Sequence, residues 1–176
     1  TNSKDLYEKL MLLRTHGITR ENMEENHGGW YYEMIALGFN YRLTDFQSAL
    51  GITQLAKNKK GVERRNEISS NYKKAFKGKI KFQDLPIGSY NAHHLFIIEV
   101  ENRKELYDFL HSKGILAQIH YVPVYTMPYY KKIGYEGSDL INAENYYANC
   151  ISLPMYPTLS DKEQEFVIEE ILMCLK

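Results

Sequence analysis

A chain of 176 residues has the length of one ordinary domain, enough to bury about 70% of its extended surface if it folds alone. Lys plus Arg and Asp plus Glu number 22 each, so no field of one sign draws the chain to nucleic acid or to a membrane surface. With 44% hydrophobic and 25% charged residues the composition is that of a soluble globular protein, and no apolar run reaches the roughly 18 residues that a bilayer span requires. Fifteen tyrosines without an accompanying basic stripe fit half-buried amphipathic surface better than a base-stacking platform. Cys150 and Cys174 stand apart with no Cys or His at ligand spacing, so neither a zinc site nor a disulfide is expected. Both read as small buried hydrophobes in a reducing, cytoplasmic setting.

In chain order, Asp5 to Thr15 carries Leu6, Leu10 and Leu13 on a helical period and closes at His16-Gly17. Thr19 to Glu33 lacks periodicity and reads as a loop. In GFNYRLTDFQSALGITQL, residues 38–55, Thr44-x-x-Gln47 has the spacing of a capping box. Behind it, Phe46, Ala49, Leu50, Ile52 and Leu55 predict one buried helical face, on a helix continuing to about Phe76 with a possible bend near Gly61. From Lys79 the pattern changes to a small α/β unit: a strand near Lys81, an apolar strand within 94–100 preceded by His93, a helix from Arg103 to Lys113, and a strand from Ile115 to His120. Together these predict a split β-α-β arrangement. A helix over Asp139 to Asn149, a strand over Ile151 to Met155, and a last helix opened by Ser160-x-x-Glu163 complete the reading. Phe166, Val167, Ile171 and Leu172 are expected inward on that helix.

Asn40, Tyr41 and Arg42, set just ahead of a capped helix, can present an amide, a phenol and a guanidinium to an anion, and Arg is suited to bidentate phosphate contact. Equally, Asn40 can make a turn while Arg42 pairs with Asp45. Four blocks in order, GFNYRLTDFQSALGITQL, GVERRNEISSNY, GILAQIHYVPVYTMPYY and SLPMYPTLSDKEQ, together resemble the DegT/DnrJ/EryC1/StrS family of pyridoxal-phosphate (PLP) sugar aminotransferases over essentially the whole chain.

The resemblance implies an α/β protein, the C-terminal portion of a fold-type I PLP-dependent transferase. Residues 1–60 would be the end of the large domain with the linking helix, and residues 61–176 the small domain. It implies a homodimer with shared active sites, using PLP to move an amino group from glutamate to a 4-keto-6-deoxy nucleotide sugar. By the same comparison Asn40 reaches the cofactor phosphate of the partner subunit, Arg42 and Tyr41 face the nucleotide sugar, and His120 and Tyr121 line the sugar site. Tyr125 stands where the family carries a second His. The family's PLP-binding lysine lies upstream of a segment like the opening TNSKDLYEKL, and Lys57, Lys59 and Lys60 have no such context. A C-terminal fragment without its catalytic lysine, inactive alone, is therefore expected. A dehydratase branch of the family and a non-catalytic α/β binding or regulatory module remain open.

Overall fold

The computed structural model describes residues 1–25, 27–86, 88–135 and 140–175. It divides into two compact units, Thr1–Ala56 and Lys57–Lys176.

In the first unit α1 (Lys4–Leu13) begins where Ser3 Oγ accepts from the Leu6 N–H at 3.3 Å, the bond that makes Ser a good cap. Gly17, at φ +69°, turns the chain out of the helix with its N–H on the Leu12 carbonyl at 3.0 Å. The expected loop over 19–33 contains a small antiparallel pair, β1 (Ile18–Thr19) with β2 (Glu33–Met34). Its interior is organised by Glu33, whose two carboxylate oxygens accept the N–H groups of Glu24 and Glu25 at 2.9 Å each.

The long helix α2 (Asp45–Phe76) is continuous through Gly51 and Gly61. Its capping box is present: Gln47 N–H donates to Thr44 Oγ1 at 3.3 Å while Gln47 Oε1 accepts from the Thr44 N–H at 3.0 Å. The apolar face expected to be buried at its start is not. Phe46, Leu50, Ile52 and Leu55 are 80%, 53%, 71% and 73% exposed, and Leu6 and Leu10 of α1 are likewise open. Periodicity reports that a face is apolar, and burial needs a covering element that is not found there among the described residues.

The second unit holds the buried hydrophobic core of the described residues. Ile68, Tyr72 and Phe76, four residues apart on the C-terminal half of α2, are fully buried. They meet an antiparallel sheet of β3 (Lys81–Phe82), β4 (Phe96–Glu99) and β5 (Cys150–Leu153), in the order β3-β4-β5. Phe96 and Ile98 alternate inward on β4, and Tyr72 lies 4.9 Å from the Phe96 ring centroid. Helices α3 (Arg103–Ser112) and α6 (Asp161–Cys174) add Leu106, Leu110, Val167 and Ile171. Each such side chain contributes about 1.5–3 kcal/mol over an exposed one. Phe166, expected inward, is 43% exposed, whereas Leu172 packs against the core. Cys150 is buried and Cys174 half-buried, both reduced.

The strand expected over Ile115 to His120 is reduced to one bridge, Gln118 with Ser152. Ala117 N–H turns back to the Ile115 carbonyl at 3.0 Å, which curls the chain out of the ladder on one side. Pro154, with no N–H to donate, stops pairing at the end of β5. The bridge is antiparallel to β5 and β5 is antiparallel to β4, so Gln118 runs parallel to β4 across β5. The split β-α-β connection exists with a minimal last strand. A 3-10 turn (Val124–Thr126) and α4 (Pro128–Lys132) follow where no element was read. Helix α5 is described over Ile141–Asn149, and the expected start at Asp139 lies outside the described residues. No helix among the described residues is long and apolar enough to cross a membrane.

Two arginines of the ERRNEI stretch fasten α2 within this unit. Arg64 Nη2 donates to the Leu159 carbonyl and to Asp161, both at 2.7 Å. Arg65 Nη1 reaches three carbonyls, those of His93 and Met155 at 3.0 Å and of His94 at 3.2 Å. One guanidinium thus satisfies backbone acceptors just before β4 and just after β5, which the antiparallel pairing of Phe96 with Leu153 brings to the same end of the sheet.

Candidate functional site

Asn40, Tyr41 and Arg42 sit on a segment laced to the C-terminal end of α1. Phe39 N–H donates to the Leu13 carbonyl at 2.7 Å, His16 N–H to Phe39 at 2.8 Å and Tyr41 N–H to Arg14 at 2.9 Å. Asn40 itself forms an antiparallel bridge with Thr15. The two backbones approach so closely that a Cβ on Gly38 would stand 2.1 Å from the Gly17 nitrogen, and one on Gly17 would stand 1.8 Å from the Ala36 carbonyl oxygen. Glycine at both places is what lets the loop be held by main-chain bonds on one side and by the capped α2 on the other.

On this platform the Arg42 Nε donates to Asn40 Oδ1 at 3.4 Å. The alternative pairing of Arg42 with Asp45 does not form. With its oxygen so used, the Asn40 amide is left to present its two N–H donors, and Asn40 and Arg42 are both exposed. Tyr41 is 72% exposed and stacks on Phe39 at 5.0 Å between centroids. An exposed amide and an exposed guanidinium, with no carboxylate bonded to either among the described residues, make a group suited to an anion.

The second unit carries His120, Tyr121 and Tyr125 on the segment that leaves the Gln118 bridge. His120 is half-buried, its Nδ1 2.8 Å from Ser152 Oγ and its ring edge-on to exposed Tyr121 at 4.6 Å. Tyr125 donates to Glu144 Oε1 of α5 at 3.2 Å. Burial and that carboxylate hold its phenol above the ordinary value, so it stays a hydrogen-bond donor at neutral pH. The structure therefore gathers the candidates as two sets, 40–42 in one unit and 120–125 in the other.

Of the partners of His120 and Tyr125, Ser152 is not singled out by sequence and Glu144 reads there only as a helix-cap or surface residue, because nothing in local spacing pairs residues 32 and 19 positions apart. His93 is buried, 8% exposed, and burial and then Lys73 lower the basicity of its imidazole. Its backbone carbonyl serves Arg65, a structural role. No three His, Cys, Asp or Glu side chains converge as a metal site among the described residues.

The model of the DegT/DnrJ/EryC1/StrS aminotransferase family matches residues 1–172. The chain belongs to this family. The UDP-4-amino-4,6-dideoxy-N-acetyl-beta-L-altrosamine transaminase of Campylobacter jejuni is 36% identical, with 100% of this chain and 47% of that protein covered. Spore coat polysaccharide biosynthesis protein SpsC of Bacillus subtilis is 34% identical over 97% of this chain and 47% of its own length. Among solved structures, Helicobacter pylori PseC, an aminotransferase of pseudoaminic acid biosynthesis, superposes with a TM-score of 0.81 at 30% identity. That match covers 99% of this chain and 47% of the other. The putative sugar aminotransferase Spr1654 of Streptococcus pneumoniae, in its PMP form, gives 0.84 at 26% identity, over 99% and 46%. The family member thus spans about half the length of the relatives it matches, and its mixed helix and sheet architecture is part of their α/β fold.

Proposed function

We propose that this chain is the C-terminal part of a cytoplasmic, homodimeric, PLP-dependent aminotransferase that moves an amino group from glutamate to a 4-keto-6-deoxy UDP-sugar in a pseudaminic acid type pathway. The observation that carries the reading is the exposed Asn40 amide, its oxygen held by Arg42 and its N–H groups without a partner among the described residues, on a loop fixed by main-chain bonds. That donor set fits a phosphate: two N–H donors and a guanidinium, with no carboxylate bonded to either residue. When bound, PLP supplies an electron sink that makes a substrate C–H bond acidic. The chain's own residues bind and orient. Asn40 donates to the cofactor phosphate of the partner subunit, and Arg42 with Tyr41 holds the sugar-linked diphosphate. His120, Tyr121 and Tyr125 offer donors to sugar oxygens. The lysine that anchors the cofactor belongs to the other half of the enzyme, so the chain alone does not transaminate.

In the complete enzyme Asn40→Ala is expected to weaken PLP retention roughly ten- to hundredfold, since a hydrogen bond to a charged group contributes about 1.5–3 kcal/mol. Equilibrium dialysis of cofactor against wild type and variant measures this. An affinity unchanged within about twofold shows that Asn40 only shapes the turn.

A further inference from the structure

Ser152 lies in the middle of β5 with 4% of its surface exposed, and its backbone is fixed on both sides of the strand. Its N–H and carbonyl bond to Gln118 at 2.7 and 3.1 Å, and it stands opposite Ile97 of β4. The Oγ is therefore a rigid, buried hydroxyl, and its bond at 2.8 Å is to His120 Nδ1. Two neutral tautomers of His120 can make that contact. If Nδ1 carries the proton, it donates to Oγ, and the hydroxyl hydrogen is left in the interior without an acceptor among the described residues. If Nδ1 is bare, the hydroxyl donates to it and both groups are satisfied. An orphaned buried donor is penalised heavily enough to select the second arrangement. The proton then sits on Nε2, which has no partner among the described residues, on a half-buried ring whose rotation is restrained by Tyr121.

We infer that Ser152 is a positioning residue: it fixes His120 as the Nε2–H tautomer, so that His120 presents Nε2–H as a hydrogen-bond donor to a hydroxyl or carbonyl oxygen of the sugar rather than acting as a base. The inference rests on the proposed reading in which His120 lines the sugar site, and it adds the tautomer and the donor role. No proton is transferred in this role. A sugar derivative lacking the oxygen at the contacted position loses the same interaction that the variant does.

The test uses the complete enzyme with nitrogen-labelled histidine, and assigns His120 by loss of its signals in His120→Gln. Above about pH 8, where imidazole is neutral, the wild type is expected to show a pyridine-type Nδ1 and a pyrrole-type Nε2. Ser152→Ala is expected to populate the other tautomer and to raise KM for the UDP-amino sugar, assayed with 2-oxoglutarate as amino acceptor, about three- to tenfold with kcat within about twofold. Ser152→Thr, which keeps the hydroxyl, should recover most of that loss. A pyrrole-type Nδ1 in the wild type, or a tautomer ratio indifferent to Ser152→Ala, overturns the positioning role. If the tautomer follows Ser152 while KM is unmoved in Ser152→Ala and in His120→Gln alike, the substrate contact is wrong and the inference falls with it. The spectra thus separate a failure of the Ser152 coupling from a failure of the site reading.

Discussion

At the residue scale, single polar side chains in this protein hold whole segments, and the clearest instance is Glu33. The N–H groups of Glu25 and Glu24 keep its carboxylate below the ordinary value, with the Tyr31 hydroxyl adding a bond at 3.3 Å. A carboxyl whose folded-state pKa is depressed contributes stability that is complete above its unfolded value, near 4.3, and is lost as pH falls through the lower folded value. Acidification should therefore release the segment bearing Glu24 and Glu25 below about pH 4, before the second unit's core responds. Trp30, the single tryptophan, lies three residues before Glu33 with its ring against Gly28, so its fluorescence reports the event. Glu33→Gln should show the released signal already at pH 7 and no acid step; an acid step that survives in the variant assigns it to another group. Gly38 illustrates the complementary case, in which the missing side chain matters. The sequence marks it as the start of a block, but the reason, a backbone 2.1 Å from where its Cβ would be, exists only once residues 16–17 and 38 are brought together.

At the element scale, what was legible and what was not divides by the range of the interaction. Both capping boxes, Thr44 with Gln47 and Ser160 with Glu163, are three-residue patterns and formed as spaced. Helices α1 and α3 were likewise readable from period, α6 from its cap and β4 from a short apolar run. The 115–120 strand failed because its length is decided by a local turn at Ala117 and by Pro154 on its neighbour, neither of which hydrophobic alternation reports. The exposed start of α2 failed for the opposite reason, since its apolar pattern is real but no element among the described residues covers it. Of the candidate site, the residue types and the loop were legible, whereas the partners that orient them, Ser152 and Glu144, were not. The last helix offers the element-scale measurement. Ser160→Ala removes the acceptor for Glu163 N–H and the hydroxyl that, with the Ser160 N–H, keeps the Glu163 carboxylate below its ordinary value. A cap loss of about 0.5–2 kcal/mol is expected, read as a lower urea midpoint at unchanged slope, with Ser160→Thr recovering most of it. A midpoint unchanged by the alanine variant shows that packing of Val167 and Ile171 alone sets where α6 begins.

At the scale of the whole molecule, the two candidate sets belong to different units, and the apolar faces of α1 and early α2 stand open. Apolar surface of that extent is seldom left to water in a working protein. A chain spanning 47% of its relatives accounts for it, with the remaining half and a second subunit as the cover we propose. If Asn40 serves its partner's cofactor, each active site takes its anchoring lysine from one subunit and its amide from the other. A complete enzyme carrying Asn40→Ala and a second carrying a substitution of the anchoring lysine are each nearly inactive as homodimers. In the mixed dimer, one site receives both lesions and the other receives neither. Random exchange of equal amounts makes half of the dimers mixed, so activity should rise to about a quarter of the wild-type value per total site. Subunit exchange is checked independently by differently tagged chains recovered together. Activity near that level establishes the amide as acting across the interface. Verified exchange with no recovery places Asn40 in the same site as its own lysine, or leaves it to the bridge that it makes with Thr15.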